Sequence, residues 1–180
     1  MRVLIDANVL YPTVLREIVL GVAAAGGFTP LWSARILEEW ALAAAKRAPE
    51  DEAVARGEIA LLRAAWPAAE VAQAPKIEAR LWLPDPGDVH VLAAAVAGQA
   101  DVILTQNLRD FPLRVLAAEG IGLSAPDPFL MNAFGEDPEG VRSVVAKVHG
   151  TAERLAGAPI VQRTLLKRAR LPRLGKALAG

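Results

Sequence analysis

Val3-Leu4-Ile5-Asp6-Ala7-Asn8-Val9-Leu10 opens the sequence with an apolar run that stops on an acid. Three consecutive aliphatic residues, two of them β-branched, predict a strand buried on both faces, as in a parallel sheet. Outward from this stretch the pattern alternates. Pro12 sits where the first turn of a helix tolerates proline, and Leu15, Ile18, Val19 and Val22 recur at helical spacing as far as Gly26-Gly27. Residues 28–32 predict a second strand. Ser33 is a good N-cap for a helix in which Ile36, Leu37, Trp40, Ala41 and Ala44 share a face.

A further helix is expected over residues 52–65. Ile77, Ala79, Leu81 and Leu83 alternate with Glu78, Arg80 and Trp82, which predicts a third strand. Pro84-Asp85-Pro86-Gly87-Asp88 is a turn by composition, and Asp88 would cap an Ala-rich helix over 89–97. Residues 101–105 predict a fourth strand, 113–119 a helix and 121–123 a fifth strand. Pro126-Asp127-Pro128 ends the alternation, and two helices are expected near 139–155 and 160–171. Regular alternation of strand and helix predicts an α/β layered fold with a mainly parallel sheet. The expected division is a body over residues 1–130 and a helical, basic C-terminal extension over 131–180.

Composition narrows the function. The 180 residues are 53% apolar and 5% aromatic, and none is cysteine, which excludes disulfides and thiolate metal sites. No apolar run reaches the roughly 18 residues that span a bilayer, and the start lacks the pattern of a signal peptide, so a soluble cytoplasmic protein is expected. The formal net charge is zero. Residues 1–130 nevertheless carry 11 basic and 16 acidic side chains, whereas residues 131–180 carry 9 and 4. The tail run Arg163, Lys167, Arg168, Arg170, Arg173 and Lys176 reads either as a solvated helix face or as a contact for an RNA backbone. Docking on an acidic surface fits it equally well.

Ligands of open parallel sheets bind beyond the carboxyl ends of the strands. Asp6 closes the first strand, Asp88 follows the third through a turn, and Asp110 follows the fourth after a short loop. Glu39, one and a half turns into the helix after the second strand, can face the same crevice, though periodicity does not choose between it and Glu38. Like charges about 5 Å apart repel by roughly 3 kcal/mol at an effective dielectric near 20, so such a cluster calls for a divalent cation. Hard oxygen donors suit Mg²⁺ or Mn²⁺. Asp85 reads as a turn residue, His90 and His149 as structural or exposed, and the tryptophans as core.

These motifs resemble those of the PIN-domain family, and in particular its VapC-type ribonuclease toxins. Residues 3–10 look like the family's opening, where the strand-ending Asp6 is a metal ligand supported by Asn8. Ser33-Ala34-Arg35-Ile36-Leu37-Glu38-Glu39 resembles the second motif, whose acid stands six residues after the serine, and that register selects Glu39. Asp85-Pro86-Gly87-Asp88-Val89-His90 is similar to the third, with Asp88 as its acid. Asp101-Val102-Ile103-Leu104-Thr105-Gln106-Asn107-Leu108-Arg109-Asp110-Phe111 resembles the fourth, with Thr105 and Asn107 in supporting positions. Many relatives carry Asp where this chain has Asn107, so the fourth position falls to Asn107 or Asp110.

The resemblance implies a PIN-like three-layer sandwich and an Mg²⁺- or Mn²⁺-dependent endoribonuclease acting through Asp6, Glu39, Asp88 and Asp110. It also implies RNA as substrate, frequent homodimers and, for a toxin, a cognate antitoxin protein. The alternative is a non-catalytic PIN-like module that binds RNA or protein. Other acid-bearing α/β folds fit less well. A phosphorelay receiver needs a Lys ending the fifth strand, where this chain has Ser124-Ala125-Pro126. A haloacid-dehalogenase-like phosphatase needs a second Asp where Asn8 stands, and no phosphate-cradling glycine loop precedes a helix.

Overall fold

The computed structural model describes residues 1–179. In chain order it begins with β1 (Arg2–Ile5), α1 (Ala7–Leu10), α2 (Thr13–Ala24), β2 (Thr29–Ser33), α3 (Ala34–Arg47) and α4 (Pro49–Ala65). There follow β3 (Glu70–Val71), α5 (Pro75–Glu78), α6 (Val89–Ala97), β4 (Val102–Leu104), α7 (Leu113–Ala118) and β5 (Gly122–Ser124). The chain closes with α8 (Pro126–Glu136), α9 (Pro138–Ala156), α10 (Gln162–Arg168) and α11 (Pro172–Ala177). It divides into two compact units. One comprises Met1–Tyr11 and Thr29–Ser124; the other comprises Pro12–Phe28 and the chain from Ala125 onward.

The first unit is built on a sheet of order β3-β2-β1-β4-β5 in which every pairing is parallel. The expected α/β fold with helices flanking a parallel sheet is therefore present. β1 is the middle strand, with Leu4 opposite Leu31 on one side and Ile103 on the other. Its Val3, Leu4 and Ile5 are wholly buried, which explains the uninterrupted apolar run. Because all strands run the same way, Asp6 and Thr105 emerge side by side at one edge of the sheet.

Ser33 ends β2 and caps α3, its Oγ accepting the Ile36 amide at 3.2 Å. Below the cap, Ile36, Leu37, Trp40, Ala41 and Ala44 are buried, and each large side chain so placed contributes about 1.5–3 kcal/mol. The helix ends at Ala48 in extended conformation, as a residue before proline prefers, and Pro49 restarts the chain as α4 with Glu50, Asp51 and Glu52 in its first turn. At the end of α6 the chain passes so close to β3 that a Cβ on Gly98 would lie 2.9 Å from Val71 Cγ2. Only glycine fits there.

Two expectations for the first unit need correction. Residues 77–83 do not form the third strand: the edge strand is Glu70–Val71, pairing with Trp32 and Ser33. Pro75 opens α5, and the amides of Ile77 and Glu78 turn back onto the Ala74 carbonyl, so the alternation of 77–83 is that of a turned segment with Leu83 buried and its neighbours less so. Trp82 is not core but 65% exposed, unlike Trp32 and Trp40.

In the second unit α2 packs on α9, with Gly21 set so tightly against Val144 that no side chain fits there. Phe28 and Phe129 meet edge to face at 5.1 Å. Pro126-Asp127-Pro128 opens α8 rather than a loop, since both prolines lie where amide bonds are not yet required. The buried Asp127 carboxylate accepts the amides of Arg173 and Leu174 at 2.9 and 3.0 Å and so caps α11. The segment expected as one helix over 160–171 is broken at Arg170, which has φ 60°, and at Leu171 before Pro172. No helix among the described residues is long and apolar enough to cross a membrane.

Candidate metal centre

The site is assembled by backbone geometry at the carboxyl edge of the sheet. The Asp6 amide continues the β1–β4 ladder by bonding to the Leu104 carbonyl at 3.0 Å. This fixes its side chain above the strand ends, where it is 5% exposed. Asp6 Oδ2 accepts the Thr105 hydroxyl at 2.6 Å and the Asn8 amide at 2.5 Å. Asn8 is held in turn: its Oδ1 accepts the Gln106 amide at 2.9 Å, and its carbonyl accepts Gln106 Nε2 at 2.9 Å. Burial raises the Asp6 pKa, the Thr105 bond and the Ala7 amide oppose that shift, and the Glu39 charge adds to it.

The 84–88 turn separates two aspartates by function. Asp85 spends an oxygen on the turn, its Oδ1 accepting the Gly87 amide at 2.8 Å. Asp88 starts α6 by backbone geometry alone, without a side-chain cap bond. Its Oδ2 is buried and has no hydrogen-bond partner. Burial, then the charges of Asp6, Asp85, Asp110 and Glu39, push its pKa up to about 6. Ligand oxygens of Asp85, Asp88 and Asp110 lie within 4.8 Å of one another. Asp110 ends a 3-10 turn over Leu108–Asp110 and accepts the side-chain amide of Asn107.

The adjacent glutamates of α3 part company. Glu38 is clamped by Arg56 through two bonds of 2.9 and 2.7 Å, which holds its carboxyl below the usual range. Glu39 Oε1 lies 2.7 Å from His90 Nε2 and 4.0 Å from Arg35 Nε. Its charge is felt at both Asp6 and Asp88.

Two members of this neighbourhood were not singled out by the sequence. Asp85, read there as a turn residue, does close the turn and also joins the acidic group; its signal was the pair of acids flanking Pro86-Gly87. His90, 4% exposed, stands against Glu39, and its Nδ1 has no hydrogen-bond partner. The basic side chains of Arg163, Lys167, Arg168, Arg170, Arg173 and Lys176 are exposed in the second unit.

The donors fit a hard divalent cation. All are oxygens, one is buried without a partner, and the charges that bear on Asp88 are those of Asp6, Asp85, Asp110 and Glu39. Arg109 and Arg35 stand outside, at 3.7 Å from Asp110 and 4.0 Å from Glu39. Oxygens on opposite sides of an octahedral Mg²⁺ are about 4.2 Å apart, so the 4.8 Å limit on the Asp85, Asp88 and Asp110 oxygens leaves only small adjustments.

A sequence profile described as PIN domain matches residues 2–109, more than half of the chain. Over 79 residues the chain is 35% identical to the protein named "Putative ribonuclease VapC50" of Mycobacterium tuberculosis (strain ATCC 25618 / H37Rv), covering 44% of this chain and 45% of that one. The match thus spans less than half the length of that relative. No solved structure gives a significant match. The profile begins on β1 and runs through Asp6, Glu39, Asp88 and Asn107, stopping one residue short of Asp110. On this match, in register with the parallel sheet that carries it, the chain belongs to the PIN-domain family.

Proposed function

We propose that the protein is an Mg²⁺- or Mn²⁺-dependent endoribonuclease that hydrolyses RNA phosphodiester bonds, and that it acts in the cytoplasm as the toxin of a bacterial toxin–antitoxin pair. The observation that carries the reading is Asp88 Oδ2: a buried carboxylate oxygen with no partner, surrounded by the charges of four other acids. Such an atom costs about 1–3 kcal/mol or more unless something binds it, and the surrounding charge makes a cation the natural occupant.

Asp6, Glu39, Asp88 and Asp110 would hold the ion, with Asp85 near enough to contribute. A bound divalent cation supplies a water of lowered pKa and polarises the phosphate. Asn8 and Thr105 fix the Asp6 carboxylate, Asn107 fixes Asp110, and His90 stands against Glu39. These contacts orient oxygens that would otherwise repel one another. The name of the mycobacterial relative supports ribonuclease activity, and the family resemblance supports a homodimer and an antitoxin that presents a basic residue to the acidic edge. The exposed basic residues of α10 and α11 would hold the RNA backbone.

The test is cleavage of labelled RNA by the full chain in Mn²⁺, beside an Asp6→Asn, Asp88→Asn double variant. The wild type should cut and the double variant should be inert. Equal activity in both would sink the catalytic assignment, and binding without cutting by the wild type would make it a non-catalytic module. Expression in a bacterial host should arrest growth with the wild type alone.

A further inference from the structure

Beside the acidic edge lies a small pocket of about 120 Å³, between the start of α3, the segment after β3, α5 and α6. That is close to the ~150 Å³ of an engineered cavity that admits one benzene ring. Ala72, Ala74, Ala93 and Ala94 place methyl groups on its wall, beside the polar side chains.

The polar groups sit at the margin. Arg35 Nη1 donates to Glu78 Oε1 at 3.2 Å, and both residues are about half exposed. The Gln73 side chain is exposed and bonds to nothing among the described residues. His90 also lines the pocket, nine-tenths or more buried, and its Nδ1 has no partner. Buried polar atoms without partners are rare enough to require an explanation, and here a polar atom of a ligand would supply one.

The charge balance selects the kind of ligand. Arg35 and Glu78 neutralise each other, and Glu39 lies 4.0 Å from Arg35. A phosphate would therefore meet no net positive charge. A neutral, flat group with donors and acceptors on its rim matches both the alanine walls and the margin of Arg35, Gln73 and Glu78. Nucleobases have that form, and proteins read single-stranded RNA by enclosing a base's faces and bonding to its edge.

Position selects which base. Arg35 and His90 are the two pocket residues that also contact Glu39, so the pocket adjoins the proposed metal centre through one shared carboxylate. We infer that this pocket receives one nucleobase of the RNA substrate, from a nucleotide flanking the phosphodiester that is cut. The inference rests on the ribonuclease reading above and adds to it the origin of sequence preference. Arg35 would donate to the base edge, Glu78 would accept from it, and Gln73 would do either.

The experiment varies one RNA position at a time. Labelled single-stranded oligonucleotides carrying each of the four bases are bound to the full chain in Ca²⁺ and cut by it in Mn²⁺. The wild type should prefer one base or base class at a position beside the cut by about tenfold or more, the discrimination expected of a well-formed pair of bonds to a base edge. Gln73→Ala and Glu78→Gln should each flatten that preference, and Ala72→Trp, which fills the pocket from its exposed rim, should abolish it. A wild-type preference left intact in all three variants overturns the base pocket while leaving the nuclease standing. Flattened binding preferences in a chain that cuts nothing would keep the pocket and remove the hydrolytic reading. A wild type that binds no RNA overturns both.

Discussion

Asp88 donates its backbone amide to the Asp85 carbonyl at 3.1 Å, while the Asp85 carboxylate, not that of Asp88, closes the turn on Gly87. Turn formation and ligand presentation are thus assigned to different side chains three residues apart. The Asp88 carboxylate contributes nothing to the backbone that holds it.

Asp88→Asn should therefore leave the fold intact and remove the function. Without metal at neutral pH the variant should melt about 2–4 °C above the wild type, the shift that ~1 kcal/mol produces in a chain of this size, after allowance for partial solvent screening of the charges. Added Mn²⁺ should raise the melting temperature of the wild type and leave the variant nearly unchanged. A variant that melts lower without metal would show that Asp88 is structural.

The pH dependence has a definite sign. Asp88 is pushed up from 3.8 to about 6, and Asp6 is raised as well. Between those values the folded chain holds protons that the unfolded chain has released, so metal-free stability falls as pH rises through the window and is lowest above it. Melting temperatures from pH 4 to 7.5 should fall more steeply in the wild type than in Asp88→Asn. Chelation of Mn²⁺ at pH 7.5 should expose the same loss, and the apparent affinity for Mn²⁺ should tighten as pH rises, because the ion competes with protons for these carboxylates.

Asn8→Ala should act on Asp6 without removing a carboxylate. The variant loses the 2.5 Å bond to Asp6 and the acceptor for Gln106, which frees both the ligand and the loop after β4. Cleavage should drop about 10- to 100-fold, the range found when groups that orient metal ligands are removed. A weaker apparent Mn²⁺ affinity in a titration of activity would identify the cause. Unchanged affinity and rate would refute the support role.

Glu39→Gln and Glu38→Gln should separate cleanly. Glu39 faces His90 and the acids, whereas Glu38 is engaged by Arg56 on an exposed surface. The first substitution should reduce Mn²⁺-dependent cleavage by about 100-fold or more, in line with loss of a group acting on charge in the transition state. The second should change it less than twofold, because exposed ion pairs contribute little. Rates at saturating Mn²⁺ decide the point.

Asp127→Ala tests the second unit. Its carboxylate accepts two amides at the start of α11, so truncation should cost about 2 kcal/mol and lower the melting temperature by about 4–8 °C. Denaturant titration of the full chain would read the loss directly.

The contrast between β1 and β3 shows which parts of this architecture a single sequence discloses. Val3-Leu4-Ile5 is buried on both faces, so its composition carries the full signature of its environment. The edge strand Glu70–Val71 has two residues and one neighbour, too little to leave a pattern, while 77–83 alternates for a different reason. The same distinction holds at the site. Asp6 and Asp88 are fixed by strand ends and a helix start, which sequence reports well. The pairing of Glu38 with Arg56 and of Glu39 with His90 depends on helices that meet only after folding, and periodicity within α3 is blind to it. Asp85 lay hidden because one residue serves both turn and cluster.

The sheet ends on strands of two and three residues, β3 and β5. Either border offers an incoming chain so short a row of open backbone groups that strand addition gains little, and copies of the protein have no template for fibre growth. Any association between copies would then rest on side chains rather than on added strands. Such side chains can change, and with them the choice of partner, without disturbing the central strand that carries Asp6.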